Sequence, residues 1–228
     1  MNFVCRFRLR MKKKKNFLLF QRATNFFAPK IQLPFAPAAK NVEKSKNDAK
    51  KLFDEQEELV PDKKAWMRGR VVNKRARYNL CFADRSQEPD YENKKGRVVN
   101  FCDLPELSKV RKGIAVVVGD IGKQLLAEMN CYYNRDCGIG FHGDSERKIV
   151  ICLRLGREMS MEFQYFRQSL PVGKRMKFSL SGGDMYFLSQ KASGNDWKKR
   201  KILTIRHAAG AKKYRPSNEE IREKFLKR

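Results

Sequence analysis

From residue 70 to residue 207 the chain is a succession of short strand-like runs, cut at close intervals by turn residues. The runs fall at 70–72, 77–82, 97–101, around 131 and 140, and then at 148–155, 161–168, 174–180, 185–189 and 202–207. Between them stand Asp136-Cys-Gly138, Leu155-Gly156, Pro171-Val-Gly173, Gly182-Gly183 and Ser193-Gly-Asn195. Several short strands at such spacing have few ways to bury their apolar faces, and a sandwich or jelly roll is the usual one. Helices are expected at 105–118 and 122–129. A third is expected at the C-terminus, where Ser217-x-x-Glu220 has the pattern of a capping box. The predicted class is mainly β (α+β).

At 228 residues the chain can bury one ordinary core with extensions. Residues 1–42 hold ten Lys or Arg and no acid, including Lys12 to Lys15, and are expected to be a basic extension, disordered or targeting. Residues 43–64 read as a charged linker or short helix, 65–215 as the folded domain, and 216–228 as a terminal helix. Lys and Arg number 51 against 25 acids, a net charge of +26. Such a surface attracts polyanions, nucleic acid first. No apolar run approaches the roughly 20 residues of a membrane span. Six cysteines without a C-x-x-C pair argue against a zinc finger and for a reduced, intracellular setting. Nucleus or cytoplasm is favoured, with organelle targeting by the basic N-terminus as the other possibility.

The chemistry concentrates at His142, one of only two histidines, and Asp144. Successive side chains of an extended segment alternate faces, so positions i and i+2 present one imidazole and one carboxylate to the same point. The pair is two thirds of a 2-His-1-carboxylate triad, a set that binds Fe(II) and leaves positions open. His207 is the other histidine and the candidate third ligand. With 25 acids in 228 residues, about one histidine in nine has a carboxylate at i+2 by chance, so the neighbours must carry weight.

Asn130-x-Tyr132, nine residues, then His142-x-Asp144 resembles the AlkB family of 2-oxoglutarate- and Fe(II)-dependent dioxygenases. The match continues through Gly138-Ile-Gly140, Glu146, the apolar run at 149–155 and Gly183-Asp184, with a lid-like Arg75-Ala-Arg77-Tyr78-Asn79 upstream. The resemblance implies a double-stranded β-helix (jelly roll) with flanking helices. It also implies oxidative demethylation or dealkylation of nucleic-acid bases, with the bases flipped or single-stranded. It assigns Fe(II) to His142 and Asp144, and 2-oxoglutarate to Asn130 and Tyr132. The family's third ligand would fall near 197–199, where this chain has no histidine, so His207 is taken as the third ligand, the one histidine left to complete the triad. It gives Arg75, Arg77 and Tyr78 to substrate, and no catalytic group beyond the metal ligands. Glu146 is expected to orient a ligand or an arginine, and Asp184 to shape a turn.

The cation for the distal carboxylate of 2-oxoglutarate has two readings. Arg200 and Arg206 reproduce a six-residue spacing of the family, but in an unbroken strand Arg206 and His207 face opposite sides. Alternatively Leu203, Ile205 and His207 share the inner face, and Arg215, Lys212 or Lys213 on the following segment serves. The second is preferred because no other histidine can finish the site, and Arg206 and Arg215 are both carried as candidates. Two competing functions stand beside the first. One is a same-fold hydroxylase of a protein or small molecule; the other is a catalytically silent, basic nucleic-acid-binding protein.

Overall fold

The computed structural model describes residues 2–8, 40–145 and 150–227. Twelve strands and three α-helices follow one another in those segments. A six-stranded sheet has the order β11-β8-β1-β6-β4-β5, formed by Met185–Leu188, Val150–Gly156, Asn2–Arg8, Leu126–Tyr132, Tyr78–Ala83 and Val98–Asn100. A four-stranded sheet has the order β10-β9-β12-β7, formed by Leu170–Leu180, Met159–Arg167, Thr204–Gly210 and Gly138–His142. The hairpin of β2 (Lys64–Met67) and β3 (Arg70–Asn73) stands apart. The protein is thus mainly β with a few helices. No helix among the described residues is long and apolar enough to cross a membrane.

Period-2 alternation sorts each central strand onto two cores. On β8, Ile151, Leu153 and Leu155 pack in one buried cluster with Met129 and Cys131 of β6. Helices α1 (Lys40–Glu57) and α2 (Pro105–Val118) contribute Leu52, Leu107 and Ile114 to the same cluster. The alternate residues Val150 and Cys152 turn the other way, into a second cluster with Tyr132, Met161, Phe163, Leu188 and Ile205. Residues of both large sheets meet there, so the second cluster fills the space between them. This is the space that holds the site.

Local chemistry explains how the helices are seated. Leu104, at the N-cap of α2, offers no capping side chain. The carboxylate of Glu55 on α1 accepts from the Glu106 and Leu107 amides instead, at 2.7 and 3.0 Å. A negative group on two first-turn N–H donors satisfies them and complements the helix dipole. Helix α3 (Asn218–Leu226) has the expected capping box: Ser217 accepts from the Glu220 amide and Glu220 accepts from the Ser217 amide.

Two expectations fail. Residues 122–129 do not form a helix; a 3-10 turn over Gly119–Gln124 leads straight into β6. The alternation of buried Ala127, Met129 and Cys131 against inward Asn130 and Tyr132 has period 2, and it outweighs helix propensity. The basic extension does not begin as one either. Its residues 2–8 form β1, paired along its whole length to β6 on one side and β8 on the other. Residues 9–39, with Lys12 to Lys15, lie outside the described residues, as does Glu146.

Candidate metal centre

His142 ends β7 and His207 lies on β12, and the two are direct antiparallel partners. Directly opposed residues present their side chains on one face of a sheet, and the two rings stand 4.4 Å apart at 62°. Asp144, two residues past His142, completes the group. One donor atom from each of the three lies within 4.8 Å of the others. An Asp144 oxygen stands 3.7 Å from His142 Nε2, and its second oxygen 3.9 Å from His207 Nε2. These separations exceed hydrogen-bonding distance. They suit groups that converge on one point between them.

The His142 ring is held in one orientation. Its Nδ1 sits 2.9 Å from the Gly140 carbonyl and 3.1 Å from the His207 carbonyl. Two carbonyl acceptors require the proton on Nδ1, which leaves the Nε2 lone pair directed toward Asp144. Metal-binding imidazoles are oriented this way by the other ring nitrogen. His207 is 1 % exposed and packs beside Phe163, with ring centroids 5.9 Å apart.

The loop that carries Asp144 is clamped from the turn at 189–199. The Asp144 amide donates to the Ser193 carbonyl at 2.7 Å. Asn195 Nδ2 donates to the Ser145 carbonyl at 2.6 Å, and Trp197 Nε1 to the Ser145 hydroxyl at 2.8 Å. The two segments touch through glycines: a Cβ on Gly143 would lie 2.2 Å from the Gly194 carbonyl oxygen and 2.7 Å from the Trp197 ring. Gly143→Ala must therefore push the two segments apart, and overpacking of this kind costs about 1–3 kcal/mol. The expected result is a melting temperature lowered by several degrees, together with weaker divalent-metal binding, read by calorimetry and metal titration.

Asn130 and Tyr132 face the same interior. Asn130 Oδ1 accepts from Arg77 Nε, whereas Asn130 Nδ2 and the Tyr132 hydroxyl are buried with no hydrogen-bond partner among the described residues. Two buried donors left in that condition point to a ligand that would satisfy them. Beside them lies Arg154, a residue that sequence reasoning missed. It is the only buried Lys or Arg among the described residues, at 0 % exposure. By alternation on β8 it joins Val150 and Cys152 on the inward face. Burial pushes its pKa down, and the nearby hydroxyls of Tyr132 and Tyr186 oppose that shift. One Nη donates to the Arg157 carbonyl at 2.7 Å. The signal available in the sequence is a lone arginine inside the run Val150-Ile-Cys-Leu-Arg-Leu155, which alternation places on the same face as Val150 and Cys152.

The other candidates are elsewhere. Arg206, adjacent to His207, points to the opposite face of the four-stranded sheet and stacks 4.3 Å from the Phe166 ring. Arg215 is on that outer face too: its Nε donates to the Gly210 carbonyl at 2.7 Å and its Nη pairs with Glu162. Strand alternation forbids Arg206 from sharing a face with His207, and the Glu162 carboxylate fixes Arg215. Neither guanidinium reaches the cluster, which corrects both assignments. Arg75 is exposed, its carbonyl accepting from the Tyr133 hydroxyl at 2.9 Å. Tyr78 stacks on Tyr133, with centroids 4.1 Å apart and ring planes 15° from parallel. Of the three substrate candidates only Arg77 touches the interior, through Asn130. Asp184 shapes its turn, accepting from the Ser181 amide at 2.9 Å.

No family model matches the chain. An uncharacterized protein of Acanthamoeba polyphaga mimivirus is 50% identical to it over 164 residues, 72% of this chain and 64% of that protein. The chain thus spans somewhat less than two thirds of that relative's length.

Proposed function

We propose that the protein is an Fe(II)- and 2-oxoglutarate-dependent dioxygenase of the AlkB kind that removes alkyl groups from nucleic-acid bases. The observation that carries this reading is the convergence of two imidazoles and one carboxylate at the edge of an interior that also holds unsatisfied Asn130 and Tyr132 donors. Two facing sheets with the cluster between them support a double-stranded β-helix as the finer description of the fold. The donor set fits Fe(II), since two neutral nitrogens and one anionic oxygen leave coordination positions for other ligands. Bound there with 2-oxoglutarate, Fe(II) would supply oxidation of an alkyl C–H by O2. His142 and His207 would hold the ion, with the two carbonyls at His142 Nδ1 fixing one ring. The buried side chains of Val150, Phe163, Leu188 and Ile205 would keep water from the interior.

Arg154 takes the place of Arg206 and Arg215 as the cation for the distal carboxylate. A carboxylate in that low-dielectric space would offset the burial of the guanidinium, with the Tyr132 hydroxyl as a second donor. Arg154→Met is expected to weaken 2-oxoglutarate binding roughly 10- to 100-fold, the usual cost of losing a hydrogen-bonded charged partner. Fe(II) affinity should stay nearly constant, and Arg154→Lys should recover part of the loss. Anaerobic titration of both ligands reads each effect separately. The function itself is tested by Fe(II) and 2-oxoglutarate binding, followed by succinate release with methylated oligonucleotides. Succinate released with no dependence on oligonucleotide would move the substrate to a protein or small molecule. Absence of Fe(II) uptake would reject the enzyme.

A further inference from the structure

We propose that the outer face of the four-stranded sheet, turned away from the metal cluster, carries a separate nucleic-acid subsite: a cationic aromatic groove for one unpaired base and its phosphate. The groove encloses about 280 Å³ and is lined in part by Phe141, Phe166, Arg206, Lys213, Tyr214 and Pro216. That volume lies just below the range of roughly 300–1,000 Å³ usual for small-molecule sites, so it admits a single ring system.

The chemistry of the groove is one-sided. The Arg206 guanidinium lies over two aromatic rings, 4.3 Å from the centre of Phe166 and 5.3 Å from that of Trp197. Stacking holds its plane while its charge remains, and no carboxylate among the described residues pairs with it. Lys213 stands exposed at the rim, 5.6 Å from the Tyr214 ring. The one carboxylate buried in this face, Glu162, is already engaged by Arg175 and Arg215. Arg200 is near enough that its charge adds to burial in lowering the Arg206 pKa, and Lys198, Lys199 and Lys201 stand exposed beside it. Arg175 already covers one face of the half-buried Phe141 ring, at 4.7 Å, so half-buried Tyr214 offers the ring surface on which a base can stack, with the Phe141 edge beside it. Like charges at a groove whose lining holds no carboxylate call for an anion, and aromatic faces beside them call for a flat ring; a nucleotide of a single strand supplies both. Because the groove lies on the opposite side of β12 from His207, this subsite stands whether or not the enzyme reading does.

The experiment uses the full chain with no added metal or cosubstrate. Fluorescence anisotropy would follow an oligo-dT of about twelve nucleotides, an abasic strand of the same charge, and an oligo-glutamate peptide. Lys213→Glu and Arg206→Gln are each expected to weaken oligo-dT binding roughly tenfold, and the abasic strand should bind more weakly than oligo-dT. A 5-iodouracil strand should crosslink to Phe141, Trp197 or Tyr214. Lys213 is exposed, so its variant should keep the normal melting temperature and report on binding alone. Unchanged affinity in Lys213→Glu, crosslinks mapping outside the groove, or equal binding of the abasic strand or the peptide would each overturn the proposal.

Discussion

His207→Ala protein is expected to lose Fe(II) affinity by more than about a hundredfold and to release no succinate. Removing residues that merely support a metal ligand costs 10- to 100-fold, and loss of the ligand itself should cost more. Asp144→Ala is expected to behave the same way, because it removes the anion that lies 3.7 and 3.9 Å from the two imidazoles. Arg206→Ala is the paired control: it changes the next residue on the same strand, on the opposite face, and should leave Fe(II) binding within about twofold. The comparison separates a metal centre from a structural histidine-carboxylate cluster. A structural cluster would lower the melting temperature in the His207 and Asp144 variants and leave Fe(II) binding equally weak in all proteins. Equal Fe(II) affinity in His207→Ala and the unaltered chain would end the metal assignment.

What could be read from the sequence was what local spacing encodes. The i, i+2 rule placed His142 and Asp144 together, and parity along one strand set His207 with Ile205 and against Arg206. The capping box at Ser217 and the helix over 105–118 were legible for the same reason, since cap and period lie within a few residues. The failures are long-range. Nothing near Arg215 in the sequence announces Glu162, 53 residues away. Arg154 is hidden in the sequence because a single arginine in an apolar run looks like part of the run, and only alternation along the strand assigns it to the inward face. The turn at 189–199, which clamps the Asp144 loop through Ser193, Asn195 and Trp197, carried no spacing pattern tying it to Ser145, some 50 residues earlier.

The structure departs furthest from the expected basic extension at residues 2–8, and this sets the second large effect. Phe3, Cys5 and Phe7 alternate with Asn2, Val4, Arg6 and Arg8, a period-2 signal obscured by the basic stretch that follows. In the fold this segment is β1, and its register runs Asn2 to Tyr132 and Arg8 to Leu126 on one side, Asn2 to Gly156 and Arg8 to Val150 on the other. In the order of the six-stranded sheet, β6 and β8 are joined only through β1. Deleting residues 1–8 would therefore open two edges in the middle of the sheet, next to Asn130, Tyr132 and Arg154. Each unmade backbone hydrogen bond costs about 0.5–1.5 kcal/mol, and a whole domain is stable by only about 5–15 kcal/mol. Loss of a seven-residue strand bonded on both sides is expected to abolish cooperative unfolding and, with it, any metal and cosubstrate binding. A peptide of residues 1–10 added in trans should restore the melting transition by strand addition to the opened sheet. A dispensable basic tail predicts the reverse: a truncated protein with an unchanged melting curve, and no effect of the peptide.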